Sequence, residues 1–118
     1  MSKSESLQLA KKFLGKKVEV VIDRPLGSKH PKFGFVYEVN YGFVSGTKAP
    51  DGKELDAYFL GLKTPVEKAT GVCKAVIHRL TDDDDKLVVM SQEVEMSDEE
   101  ILKAVQFMEK WFKHELVR

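Results

Sequence analysis

The chain has too little cysteine for a disulfide: Cys73 stands alone in 118 residues. A disulfide-stapled secreted scaffold is therefore excluded, and a reducing compartment is the expected setting. Charge of one sign is also missing, since 19 Lys and Arg balance 19 Asp and Glu. A general binder of nucleic acid or of anionic membrane needs a basic excess, so neither partner is expected, and phosphate chemistry would have to come from local clusters. No apolar run approaches the length needed to span a bilayer. The opening Met1-Ser-Lys-Ser-Glu stretch lacks a hydrophobic signal core, so a cytoplasmic protein is expected. Internal repeats, linkers and low-complexity stretches are lacking too, and the length suits one domain over residues 1–118.

Apolar residues make up 42% of the chain and charged residues 32%, enough for a packed core. Residues 4–14 place Leu7, Ala10, Phe13 and Leu14 on one helical face, with Gly15 as a stop. Val18, Val20 and Ile22 alternate, predicting a strand over 17–23. A loop rich in Pro, Gly and Lys follows to Gly34. Residues 35–44 read as a strand interrupted near 40–42, and 46–52 as a turn. In a strand over 54–60, Leu55, Ala57 and Phe59 share one face and Glu54, Asp56 and Tyr58 the other. Residues 71–80 and 86–91 predict a hairpin around an acidic turn. Ser97 and Glu100 form a capping box that opens a helix to about Lys113. Its stripe of Ile101, Leu102, Val105, Met108, Trp111 and Phe112 is expected to be core. Five or six short strands with a helix at each end predict a mainly β (α+β) fold, a small barrel with the C-terminal helix packed on it.

Two acidic clusters bear on chemistry: Asp51 with Asp56, and the run from Asp82 to Asp85 before Lys86. Hard divalent cations prefer several carboxylate oxygens, and a metal would relieve repulsion in the second cluster. Taken singly, an Asp-Gly turn and a solvated acidic hairpin are the plainer readings. The loop carrying Arg24, Ser28, Lys29, His30 and Lys32 has the composition of an oxyanion site, and equally of an ordinary surface loop. His30 and His78 show no zinc-site spacing, and Cys73 reads as a small buried residue.

Tyr37, Asn40, Tyr41, Gly42 and Thr47, followed by Asp51, Gly52 and Asp56, stand in the register of a longer motif. That stretch resembles the soluble inorganic pyrophosphatases of the single-barrel type, whose pattern reads Tyr-Pro-x-Asn-Tyr-Gly-Tyr-Ile-x-x-Thr and then Asp-Gly-Asp-Pro-x-Asp. The strand, acidic turn, Asp84-x-Lys86 and return strand resemble the same family, so the likeness runs over roughly residues 18–90. It implies an OB-like closed β-barrel, Mg²⁺ as cofactor (or Mn²⁺ in its place), and hydrolysis of pyrophosphate to two phosphates. By position, Asp51, Asp56, Asp82 and Asp84 would be metal ligands, and Lys86 and Tyr41 would contact phosphate. Residues 21–25 align in two ways, bringing either Arg24 or Lys32 to the phosphate. The partner implied is pyrophosphate or a related phosphoanhydride, and a homo-oligomer is left open. At the middle acid of the second motif the chain has Lys53, and Glu54 is the candidate for a displaced catalytic carboxylate beside Asp56 and Lys86. Trp111 and Phe112 stand where the family has Tyr-Lys. These departures leave open a non-catalytic binding module for phosphate or nucleotide, or a hydrolase of another phosphoanhydride.

Overall fold

A computed structural model describes residues 5–48, 52–81 and 84–118. Its elements are α1 (Glu5–Lys11), β1 (Lys17–Arg24), β2 (Asn40–Val44), β3 (Leu55–Leu60), β4 (Lys68–Arg79), β5 (Lys86–Met90), α2 (Asp98–Glu109) and β6 (His114–Val117). The strands pair in the order β1-β2-β3-β5-β4, and β1 pairs back onto β4, so five strands close a barrel. Closure depends on the length of β4. Its residues Lys68 to Val72 pair with β1, Val72 to Ile77 with β5, and Val76 to Arg79 carry β6 outside the barrel. Closing a sheet requires strong local twist, which bulges supply. One falls between Cys73 and Ala75 on β4, the other between Ile22 and Arg24 on β1.

Period-two alternation divides the apolar side chains into two cores. Val18, Val20, Leu55, Ala57, Phe59, Leu87 and Val89 fill the barrel, with Leu7, Phe13 and Leu14 packed against them. Tyr58, Leu60, Val88 and Met90 point outward and are covered by Ile101, Val105, Phe107 and Met108 of α2. Strand β5 is therefore buried on both faces and reads as an unbroken apolar run after Lys86. The capping box is present: Glu100 N donates to Ser97 Oγ at 3.1 Å and Ser97 N to Glu100 Oε1 at 2.9 Å. The buried Cys73 is small core, as expected.

Three expectations are corrected. The segment 35–39 is not a strand; it keeps one bridge, Lys29 to Val36, and β2 starts at Asn40. Helix α2 ends at Glu109 rather than Lys113, and Trp111 and Phe112 are exposed rather than core. Strand β6 was not anticipated. Among the described residues, no helix is long and apolar enough to cross a membrane.

Candidate active site

Between the β1–β2–β3 face and the C-terminal end of α2 lies a cleft of about 1020 Å³. Asp56 heads the β3 contribution. Its Oδ2 accepts from Tyr41 Oη at 2.7 Å and from Lys86 Nζ at 3.1 Å. The same ammonium lies 3.3 Å from Asp84 Oδ2. Two carboxylates nearly thirty positions apart are thus joined by one nearly buried lysine. The parallel pairing of β3 with β5 makes this possible, because it sets Ala57 beside Leu87. Asp56 and Lys86, each one residue earlier, then stand side by side on the outer face that Tyr58 and Val88 share.

Tyr41 arrives through the Asn40-Tyr41-Gly42 triplet, and each member has a local role. Asn40 Oδ1 accepts from Leu26 N at 2.9 Å, and its Nδ2 donates to Thr64 O at 3.0 Å, tying two loops to β2. Gly42 sits where a Cβ would lie 1.8 Å from Val21 O, so β1 and β2 approach in a way that only glycine permits. Burial first, and then the Asp56 charge, hold Tyr41 well above the usual phenol range, so it stays a proton donor to Asp56. The bulge on β1 pairs Ile22 with Gly42 and Arg24 with Tyr41, leaving Asp23 as the extra residue. Consecutive strand residues normally face opposite ways, yet Asp23 and Arg24 both line the cleft. Burial raises Asp23, with Arg24 acting in the opposite sense.

Beneath this wall is a buried ion pair outside the sequence expectations. Arg79 Nε and Nη2 donate to Glu109 Oε1 and Oε2 at 3.0 and 3.1 Å, and Tyr58 Oη donates to Glu109 Oε2. Arg79 Nη1 lies 3.6 Å from Asp84, and its guanidinium stacks on Phe112 at 3.7 Å. Burial lowers Arg79, but the Glu109 carboxylate outweighs it and keeps the guanidinium charged. One sign of Glu109 was available. Ile101, Val105 and Glu109 fall at successive i, i+4 positions, so a carboxylate continues the apolar stripe. Arg79 likewise follows Ala75 and Ile77 at alternate positions of β4, so a cation continues that apolar face.

Of the expected site residues, the structure brings Asp56, Asp84, Lys86, Tyr41 and Arg24 to the cleft. Asp51 and Asp82 lie outside the described residues. Lys32 is exposed, its ammonium 5.5 Å from the centre of the Phe33 ring, on the loop that supplies His30 and Phe33 to the rim. Glu54 is exposed, and its charge adds to the rise of Asp23. The strand starts at Leu55, just after Lys53 and Glu54, and Lys53 lines the cleft. Among the described residues no group of three metal-ligating side chains gathers. Asp56 and Asp84 do supply two partly exposed carboxylates, and Mg²⁺ is commonly held by one or two such groups plus waters and substrate phosphates. Asp56 and Asp84 are therefore the described carboxylates that could hold such an ion, with Lys86 lying between them.

No protein-family model matches the chain, and no curated protein sequence is detectably similar to it. Solved structures do match. The inorganic pyrophosphatase of Ehrlichia chaffeensis superposes with a TM-score of 0.66 at 18% identity, over 86% of this chain and 85% of that one. That of Helicobacter pylori gives 0.61 at 19% identity, over 80% and 75%. That of Coxiella burnetii gives 0.60 at 18% identity, over 85% and 83%. At these identities the likeness is one of fold: the chain has the OB-like barrel of the bacterial inorganic pyrophosphatases.

Proposed function

We propose that the chain is a divergent inorganic pyrophosphatase that hydrolyses pyrophosphate to two phosphates with Mg²⁺, or Mn²⁺ in its place. The observation that carries this reading is the convergence of Asp56, Asp84, Lys86 and Tyr41 beside Arg24 in one cleft. The fold shared with known pyrophosphatases supports it.

Arg24 is suited to grip phosphate oxygens in pairs, and Lys86 to act as a point charge. In this reading the Asp56 carboxylate takes the proton of the attacking water, and the bond from Tyr41 Oη supports its orientation. Water adds to one phosphorus, the bridging P–O bond breaks, and the second phosphate leaves with its charge met by Lys86 and Arg24. Asp56 and Asp84 would hold the Mg²⁺, whose chemistry when bound would be Lewis acidity and a more acidic water. Asp51 and Asp82 are proposed as further ligands, and Glu54 and Lys32 as supporting groups at the rim. The test is phosphate release from pyrophosphate with and without millimolar Mg²⁺, repeated with Asp56→Asn. Metal-dependent release that D56N abolishes supports the reading; release no greater than the metal-free blank overturns it.

One observation favours a second reading, a binding module without turnover. The Lys86 ammonium already bridges Asp56 and Asp84, and Lys53 brings another amine to the cleft. Saturable calorimetric binding of pyrophosphate with no release would establish this reading, and Lys53→Asp would then be expected to raise metal affinity.

A further inference from the structure

The acid-and-cation floor occupies only part of the cleft. Much of the remaining lining is aromatic: His30, Phe33, Phe35, Tyr37, Trp111 and Phe112. Of the five exposed large apolar side chains among the described residues, three line this cleft, namely Phe33 at 69%, Trp111 at 57% and Phe112 at 36% exposure. Large apolar groups left in water inside a concave site mark a place where a ligand covers them. The rings are organised among themselves. His30 lies 4.9 Å from both Phe33 and Phe35, Phe35 lies 5.4 Å from Trp111 and 5.3 Å from Tyr37, and Tyr37 lies 5.6 Å from Tyr41, whose hydroxyl meets Asp56. Rings thus lead stepwise from the acidic floor to an open indole.

Inorganic pyrophosphate has no apolar surface and gains nothing from such a wall. A cleft of about 1020 Å³ matches pockets that take drug-sized molecules, about 300–1,000 Å³. We infer that the cleft binds a nucleoside diphosphate or its close relative, with the phosphoanhydride on Arg24 and Lys86 and the base stacked on Trp111 and Phe33. The phosphate half of this inference rests on the reading under Proposed function; the base half rests on the aromatic wall. Hydrolysis of that ligand adds water to the terminal phosphorus, breaks the bridging P–O bond, and releases a nucleoside monophosphate, phosphate and a proton.

Trp111 is the single tryptophan of the chain and so reports directly on the wall. The probes are ADP and pyrophosphate, each with Mg²⁺, titrated into the full chain by fluorescence and calorimetry. ADP is expected to quench the indole and to bind about tenfold more tightly than pyrophosphate, the worth of one base stacked on an aromatic ring. In W111A, and separately in F33A, the ratio of ADP to pyrophosphate affinity is expected to fall about tenfold. Equal affinities for the two probes in the wild type, or no quenching by ADP, overturn the inference. So does a dimer whose dissociation unmasks Trp111 and which excludes ADP, because a second copy then covers the wall. ADP binding with quenching but no phosphate release from pyrophosphate leaves this inference standing and removes the hydrolytic reading. Release from pyrophosphate without ADP binding does the reverse.

Discussion

Replacing Glu109 with alanine would remove the acceptor of three bonds at a fully buried position. Glu109 is fully buried, it receives two bonds from Arg79 and one from Tyr58, and the Arg79 side chain is itself 5% exposed. Removing Glu109 leaves Arg79 with the partly exposed Asp84 at 3.6 Å as a weaker partner, so the cost is taken at the lower end of that for breaking a buried pair, about 3 kcal/mol. A domain of this size has about 5–15 kcal/mol in all. At about 4 °C per kcal/mol, the melting midpoint should fall by about 12 °C. Urea denaturation should show a lower midpoint with an unchanged slope, as expected if stability alone changes. The companion variant carries both E109L and R79M. Apolar replacement of both partners avoids the weakly paired charge and should recover at least half of the loss. A shift under about 4 °C in E109A would refute the reasoning, because the pair would then be worth no more than a surface ion pair.

Gly42→Ala should cost about 3 kcal/mol or more in urea denaturation, since its Cβ would meet the Val21 carbonyl at 1.8 Å and neither backbone can move without unpairing β1 from β2. A near-neutral G42A would show that the two strands are not held so closely. Burial pushes the Cys73 thiol up to about 11, so disulfide-exchange reagents at pH 8 should label the native protein about a hundredfold more slowly than the urea-unfolded chain. Equal rates would place Cys73 outside the core. Asp23 is raised by burial, so on acidification it loses its charge sooner than an ordinary carboxylate, and the cleft becomes more favourable to anions as the pH falls. Calorimetric affinity for pyrophosphate should therefore rise more steeply with acidity in the wild type than in D23N; parallel profiles would count against it.

The features legible in the sequence are those written in local spacing. Val18, Val20 and Ile22 give β1, Leu55, Ala57 and Phe59 give the inner face of β3, and Ser97 with Glu100 gives the start of α2. Of the candidate site, Asp56, Asp84, Lys86 and Tyr41 were legible through the motifs that carry them and Arg24 only as one of two alignments, and all five line the cleft. What stayed hidden depends on partners far along the chain. Strand β6 is four residues long and only partly buried, and it forms because the outer edge of β4 offers it Val76 to Arg79. Its apolar content alone does not distinguish it from a helix end. Phe35 and Tyr37 have the composition of a strand, but they pack with His30 and Phe107, and the segment keeps one bridge instead of a ladder.

The end of α2 shows how a tertiary bond overrides a periodic pattern. Continuing the helical stripe through Trp111 and Phe112 predicts two more core residues. Yet Glu109 is bonded to Arg79 and Tyr58 on the barrel, and four residues later the chain must run along β4, with Leu80 N donating to Lys113 O at 2.9 Å. A helix carried on to Lys113 would move that residue away from β4. The turn after Glu109 therefore follows from the ion pair together with β6, and it leaves Trp111 and Phe112 at the cleft instead of under the helix. The same buried carboxylate that anchors the helix thus fixes where the aromatic wall stands, which ties the stability expected of E109A to the ligand preference expected of Trp111. An E109A chain that still folds should show a displaced indole, and its Trp111 emission should differ from that of the wild type before any ligand is added.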